Sequence, residues 1–422
     1  MKESINAHTM KILHLSTSDL DGGAAKAAYR LHQGLRAIGA NSQMLVRARD
    51  GADRHVFVEK TAQTRLGPIM NGLPLRRYKR RSRNMFSTQW FPDTLANRVN
   101  ALNPDIVVLH WICNGFLQIE TLAKVRQPKV WVVHDMWPFT GGCHYTQDCD
   151  RYTQSCGACP QLNSQSSQDL SHKVWKRKKQ AWQAINLTLI APSQWLAQVI
   201  QSSSLFHHRR TEVIHHGLDL ELFRPLDRNF ARDALKLPQN KDIVLFGASS
   251  GVTNDPRKGF HFLQSALNQL RETNALDRLE IAIFGISEPQ EPLELGFPVH
   301  YLGRLRDELS LVLAYSAASI MVVPSTHETF GQTASEALAC GTPVVAFDAT
   351  GPKDIVEHQG NGYLAQPFES RDLAQGILWI LEDLNRYQQL CINARQKTEE
   401  NFNLEIQSRQ YESLFHEIIS AG

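Results

Sequence analysis

Apolar residues fall in short, uninterrupted, β-branched runs separated by stretches long enough for a helix, and this alternation restarts once along the chain. From Lys11 the sequence reads as a strand (KILHLS) and a polar glycine turn at Asp21, Gly22 and Gly23. A small-residue helix then runs from about Ala24 to Ile38, closed by Gly39, with a second strand at 43–46. Runs at 106–109, 130–133 and 187–190 have no polar interruption, as expected of strands covered on both faces of a parallel sheet. After His215 the pattern begins again, with strands expected at 243–246, 281–284, 320–323 and 344–347. Two doubly wound α/β domains are therefore expected. The polar residues 201–210 and the segment HHGLDLELFRP read as the linker, dividing the chain into 1–210 and 211–403.

Length agrees, since 422 residues exceed what one hydrophobic core organises. The net charge of +3 conceals a strong asymmetry: residues 1–200 carry 26 Lys+Arg against 13 Asp+Glu, and the remainder carries 19 against 29. A basic first half points to a polyanionic partner, and an acidic second half argues against a protein that coats nucleic acid. No run of about 18 apolar residues exists and the N-terminus lacks a secretory pattern, so a cytoplasmic protein is expected. In that compartment cysteines serve as thiols or metal ligands rather than disulfides.

Open parallel sheets bind ligands beyond the carboxyl ends of their strands, so a cleft between two such domains is the expected site. There is no Walker A motif. The one glycine-rich match, GNGYLA at 360–365, lacks a preceding strand and is followed too soon by Pro367 to open a phosphate-binding helix. More informative is VVPSTHETFGQTASEALACGTPVVAF, in which a buried strand ends at Pro324, a polar loop follows, and a helix begins near Gln332. Backbone amides of residues 329–333 at that helix start would favour a diphosphate. Glu328 and Glu336, eight residues apart, can each accept hydrogen bonds from sugar hydroxyls. In the first half, His134 and Asp135 sit at the carboxyl end of a buried strand.

This stretch resembles the E-x7-E signature of retaining GT-B glycosyltransferases of family 4, within the wider pattern PSxxETFGxTxxEAxAcGtPVVaf. The turn at Gly22 and Gly23, the segments APSQW and HHGLDLELFRP, and the basic loop RKGF at 257–260 resemble further family segments in the same order, covering most of the chain. The resemblance implies a GT-B architecture of two Rossmann-like domains: an acceptor-side domain (1–210, with a terminal helix at 404–422 packing back) and a donor-binding domain (211–403). It assigns Glu328 to the donor sugar and Glu336 to the nucleotide ribose. The amides of Thr329, Phe330 and Gly331, with Thr333, would surround the diphosphate, which Lys258 neutralises as it leaves. His134 would contact the donor sugar, and Gly22 and Gly23 would admit close approach of the ligand to the backbone. The catalytic set is therefore His134, Glu328 and Lys258. Two departures stand out. The family arginine is replaced by a longer small-residue loop, FGASSGVTNDPRKGF, leaving Arg257 as its candidate substitute. Gly351 and Pro352 stand where many relatives carry a Gly-Gly pair.

HDMWPFTGGCHY resembles a branch of the family found in colanic acid and other exopolysaccharide pathways. Cys143, Cys149, Cys156 and Cys159 fall within 17 residues there, a set that would suit a structural tetrahedral zinc, with free or redox-active thiols as the alternative. The resemblance implies that no cofactor is required for catalysis. Two basic runs with neighbouring aromatics favour docking on an anionic membrane. The first contains Arg76, Arg77, Lys79, Arg80, Arg81 and Arg83; the second contains Lys173, Lys176, Arg177, Lys178 and Lys179 with Trp175 and Trp182.

The expected activity is retaining, metal-independent transfer of a sugar from a nucleoside-diphosphate sugar, UDP or GDP rather than ADP, to a glycan or lipid-linked acceptor in cell-surface polysaccharide synthesis. The expected location is cytoplasmic, peripheral on the inner face of the plasma membrane. The alternatives are a nucleic-acid-binding protein using the basic half and a nucleotide-sugar epimerase on the same fold; nucleic acid is not an expected partner.

Overall fold

The computed structural model describes residues 10–248, 255–272, 278–291 and 293–421. The chain forms two compact units: one runs through Gly217 and includes Glu405 onward, and the other is Leu218–Leu404.

The first unit is a seven-stranded parallel sheet. Its strands are β1 (Lys11–Ser18), β2 (Asn41–Ala48), β3 (Val56–Val58), β4 (Ile106–Leu109), β5 (Lys129–Val132), β6 (Leu187–Ala191) and β7 (Thr211–Val213), in the order β3-β2-β1-β4-β5-β6-β7. All four residues of β4 and of β5 are buried, which is why those segments read as continuous apolar runs. The helix Gly23–Ala37 follows the Gly22 turn and buries Ala27, Ala28, Leu31 and Leu35. The terminal helix Leu404–Ser420 sets Tyr411, Leu414, Phe415 and Ile418 against Ile12, Ile106, Val108 and Val130 of the same unit. Each such side chain contributes about 1.5–3 kcal/mol by leaving water. The helix is further tied by a two-point pair from Arg210 to Glu417 at 2.7 and 2.9 Å.

The division between units falls at Gly217, seven residues beyond the expected 210, because β7 pairs with β6 and so joins the first sheet. Its three residues are only half-buried, and three residues give no usable hydrophobic period.

The second unit repeats the plan with six strands. These are β8 (Asp242–Gly247), β9 (Leu279–Phe284), β10 (Val299–Gly303), β11 (Ile320–Val323), β12 (Val344–Phe347) and β13 (Gly362–Ala365), ordered β10-β9-β8-β11-β12-β13. The glycine-rich residues 362–365 are thus a strand in their own right, paired with β12. In each sheet the strand order reverses direction beside the first strand, at β1/β4 and at β8/β11, which is where doubly wound sheets hold their ligands.

Candidate functional site

In the second unit, β11 ends at Val323 and the chain turns through Pro324 into the helix Gln332–Ala339. Gly331 precedes that helix with φ of 109°, a conformation disfavoured for residues with a Cβ, and no side chain caps the helix start. Phe330 is buried edge-on to Phe402, so its side chain is core and only its backbone can face a ligand. Gly351 donates from its amide to the Glu328 carbonyl at 2.8 Å. A Cβ on Gly351 would come within 2.6 Å of three Phe330 backbone atoms. The Gly351-Pro352 departure is therefore a buttress beneath the loop that carries Glu328.

Lys258 closes the other side. Its Nζ lies 3.0 and 3.2 Å from the two Glu328 carboxylate oxygens, with both side chains partly exposed. The loop carrying it is clamped to the end of β11: the Thr326 amide donates to the Arg257 carbonyl at 2.7 Å. At Gly259, with φ of 69°, an added Cβ would fall 1.7 Å from the Pro324 carbonyl oxygen. Arg257 gives its guanidinium fork to Asp255, at 2.6 and 3.0 Å. The preceding small-residue segment 249–254 lies outside the described residues. Glu336 is buried within the helix, accepting from the Tyr315 hydroxyl at 2.7 Å. Thr333 is half-buried in the first turn of the same helix, while Thr329 lies in the loop.

In the first unit, Gly22 and Gly23 stand at the start of the helix Gly23–Ala37, and a Cβ on Gly22 would meet nothing within 4 Å. His134 and Asp135 directly follow Val133 beyond β5, both buried. The Asp135 carboxylate has three partners. It accepts from the Trp111 indole at 2.8 Å and the Trp137 amide at 2.8 Å, and it meets the His144 ring at 2.6 Å. Burial pushes its carboxyl upward, but the His144 imidazole and these donors outweigh burial and hold it below the usual range. Burial also drives His134 down to about 4, so its imidazole is neutral at neutral pH.

The sequence reasoning missed His134's surroundings. His14, His110 and His216 are buried with it: His14 from within β1, His110 directly after β4, and His216 after β7. The available signal was a histidine set inside or against an apolar run, as in KILHLS and VVLHW.

Cys143, Cys149, Cys156 and Cys159 line one cavity of about 20 Å3, enough for a single water-sized particle. All four are free thiols. Burial, and then the neighbouring thiols, push Cys143 up; burial likewise raises Cys156 to about 12. Among the described residues no three metal-ligating side chains stand close enough to hold an ion as placed.

The two basic runs differ. In the first, Arg76, Arg77, Lys79, Arg80 and Arg83 are exposed, followed by an exposed Met85. The second does not form the expected lipid-facing surface. Trp175 and Trp182 belong to the core, Arg177 is bound by Glu120 and by the Thr88 and Gln89 carbonyls, and Lys178 is fully buried over the Trp137 ring. Helical spacing turns these residues inward and leaves only Lys173, Lys176 and Lys179 exposed.

The family models agree with the two halves. Residues 21–222 match Glycosyltransferase Family 4, and residues 227–397 match Glycosyl transferases group 1. The chain belongs to the group 1 glycosyltransferases. Among curated relatives, this glycosyltransferase is 23% identical to the putative colanic acid biosynthesis glycosyl transferase WcaC of Escherichia coli, over 93% of its own length and 99% of that protein. It is 34% identical to a D-inositol 3-phosphate glycosyltransferase of Catenulispora acidiphila, but over only 44% of its own length and 47% of that relative. Among solved structures, sucrose-phosphate synthase of Thermosynechococcus elongatus aligns with a TM-score of 0.68 at 20% identity, covering 98% of this chain and 100% of that one. HepE of Anabaena, solved with UDP-glucose, aligns at 0.65 and 22% identity over 98% and 100%. WaaG, a glycosyltransferase of lipopolysaccharide biosynthesis, aligns at 0.64 and 15% over 96% and 99%. These likenesses establish the GT-B fold, and no helix among the described residues is long and apolar enough to cross a membrane.

Proposed function

We propose that this glycosyltransferase moves a sugar, with retention, from a nucleoside-diphosphate sugar to a glycan or lipid-linked acceptor during cell-surface polysaccharide synthesis. The observation that carries the reading is the Lys258–Glu328 pair beside a helix start that no side chain caps, with Glu336 one turn further along. A leaving diphosphate needs positive charge, and Lys258 with the amides around Thr329, Phe330 and Gly331 supplies it without a metal ion. When donor binds, its phosphates take Lys258 and free Glu328 to accept from sugar hydroxyls. Glu336 holds the ribose. The bond from the anomeric carbon to the phosphate oxygen breaks and the acceptor oxygen bonds the same carbon from the same face. The acceptor proton passes to the departing phosphate oxygen, so no protein nucleophile is used. His134 completes the proposed catalytic set.

Support for a uridine donor is the UDP-glucose bound in the HepE structure, and support for the acceptor class is the likeness to WcaC and WaaG. For a lipid-linked acceptor, we propose that the exposed run from Arg76 to Arg83 docks on the anionic inner face of the plasma membrane, at about 1 kcal/mol per basic residue near the surface. Exposed Leu66 and Ile69 on the adjoining helix Ala62–Gly72 add apolar area. The four cysteines are proposed to hold a structural zinc.

The test is thermal unfolding with UDP, GDP or ADP on the wild type and on Glu336→Gln, a change that keeps an acceptor for Tyr315. A nucleotide at about 100 times its Kd stabilises by roughly 2.7 kcal/mol. Stabilisation of the wild type by one nucleotide, largely lost in the variant, is expected. No response to any of the three, or an equal response in both proteins, overturns the donor site.

A further inference from the structure

Beside the carboxyl ends of β2 and β3, the first unit holds an open cavity of about 530 Å3 lined by Arg47, Glu59, Lys60, Thr61, Thr64 and Arg65. Arg47 is the next-to-last residue of β2, whose last residue, Ala48, pairs with Ser18 at the end of β1. The cavity thus lies at the end of the parallel sheet where such sheets hold ligands. The loop after β3 is fixed by its own hydrogen bonds. The Glu59 amide donates to the Val46 carbonyl at 2.8 Å, and the Thr64 hydroxyl donates to the Glu59 carbonyl at 2.9 Å. The amides of Thr61 and Thr64 each donate to the other's hydroxyl, at 3.0 and 3.1 Å, which starts the helix Ala62–Gly72 and places Arg65 in its first turn.

Charge in this cavity is unbalanced. Arg47, Lys60 and Arg65 are set against one carboxylate, Glu59, and three cations less one anion leave a surplus of two positive charges. Among the described residues none of the three cationic side chains has a hydrogen-bond or ion-pair partner, and the Arg47 Nε is buried without one. Arg177 and Arg209, partly buried in the same unit, each donate to several acceptors. Burial pushes the Arg47 guanidinium below its ordinary value, and it pushes the Glu59 carboxyl up, against Arg98 and together with Asp93. A guanidinium stays charged in proteins, so Arg47 is a partly buried cation without an acceptor, a state that an arriving anion relieves.

We infer that this cavity is a phosphate subsite for a phosphorylated acceptor, in which Arg47, Lys60 and Arg65 bind the phosphate and Glu59 accepts from a neighbouring sugar hydroxyl. A surplus of two positive charges suits a dianionic phosphate or a diphosphate better than a single carboxylate. A cavity of this size takes more than a phosphate alone and leaves room for the sugar that bears it. Assignment to the acceptor rests on the transfer reading above, with the first unit as the acceptor side, whereas the phosphate subsite itself does not. Leu66 and Ile69 are exposed on the helix that carries Arg65, so the same phosphate chemistry can reach the cavity from a lipid-linked diphosphate or from a soluble sugar phosphate.

The test is calorimetric titration of the full chain, without nucleotide, by α-glucose 1-phosphate and by glucose, together with sedimentation on phosphatidylcholine vesicles carrying polyprenyl diphosphate. The wild type is expected to bind the phosphate ester and not glucose. Arg47→Met keeps the buried stem and removes the charge, and it is expected to weaken binding by about tenfold or more. Arg65→Gln is expected to weaken it less. Lys258→Met, which removes the cation proposed for the donor phosphates, is expected to leave it unchanged. Binding as tight in Arg47→Met as in the wild type, binding lost in Lys258→Met, or neither titration nor vesicle recruitment in the wild type overturns the subsite. If Arg47→Met does not fold, Arg65→Gln and Lys60→Gln decide. Arg47-dependent recruitment to the vesicles identifies a lipid-linked source, and titration without recruitment identifies a soluble one. Because neither nucleotide nor Glu336 is involved, failure of the donor-site test leaves this result standing, and the reverse also holds.

Discussion

Acidification should unfold the first unit through its buried imidazoles, and the size of the effect follows from the structure. His134 and His32 are each pushed down to about 4, chiefly by burial, while His14, His110 and His216 are driven well below the ordinary 6.5. Unfolding returns each to its ordinary value, so the unfolded chain binds more protons. Stability is full above about pH 6.5 and is lost as pH falls from there toward 4. For one such histidine, going from pH 7.5 to 5.5 costs on the order of 1 kcal/mol. Five acting in the same direction amount to several kcal/mol, a large part of the roughly 5–15 kcal/mol that holds an ordinary domain folded. Lys178, pushed down to about 7 by burial, acts in the same direction and adds under about 1 kcal/mol in this window. The assay is urea unfolding followed by tryptophan emission, which reports this unit because seven of the eight tryptophans, all but Trp379, lie in it. His134→Gln should reduce the proton uptake on unfolding at pH 5.5 by about one. A loss of stability below about 2 kcal/mol between pH 7.5 and 5.5, at constant m-value, would refute the neutral buried set.

Other consequences follow from single positions. Gly259→Ala places a Cβ 1.7 Å from the Pro324 carbonyl oxygen, so the loop must shift and carry Lys258 with it. Steady-state kinetics should show kcat falling by about 10²-fold, as for a misplacement near 1 Å, and unchanged kcat would remove Lys258 from the reaction. Metal analysis of the purified chain should find one zinc, with a chelator lowering Tm and releasing four titratable thiols. Four reactive thiols with no zinc would leave the cysteine cavity as a plain packing feature. Replacing Arg76, Arg77, Lys79, Arg80 and Arg83 by Gln should abolish co-sedimentation with anionic vesicles at low salt without altering nucleotide binding. Equal sedimentation of both proteins would place the membrane contact elsewhere.

What the sequence determined by itself was local. Uninterrupted apolar runs marked the strands because both faces of a parallel sheet are covered. Spacing around Pro324 and Gly331 placed Glu328 in a loop and Glu336 on a helix, and the order of motifs sufficed to name the family. Only the tertiary structure decided which distant side chains meet. The registers of β1, β4 and β5 align His14, His110 and His134, residues up to 120 positions apart, and no local period records that alignment. The same holds where charge misled. The run from Lys173 to Lys179 looks like a solvated face in one dimension, yet helical rotation buries Lys178 and both tryptophans while Glu120 binds Arg177. Asp255's hold on Arg257, the common cavity of the four cysteines and the inclusion of β7 in the first sheet were likewise settled by packing. Hydrophobic periodicity specifies the direction a residue faces, and only the assembled sheet specifies what it faces.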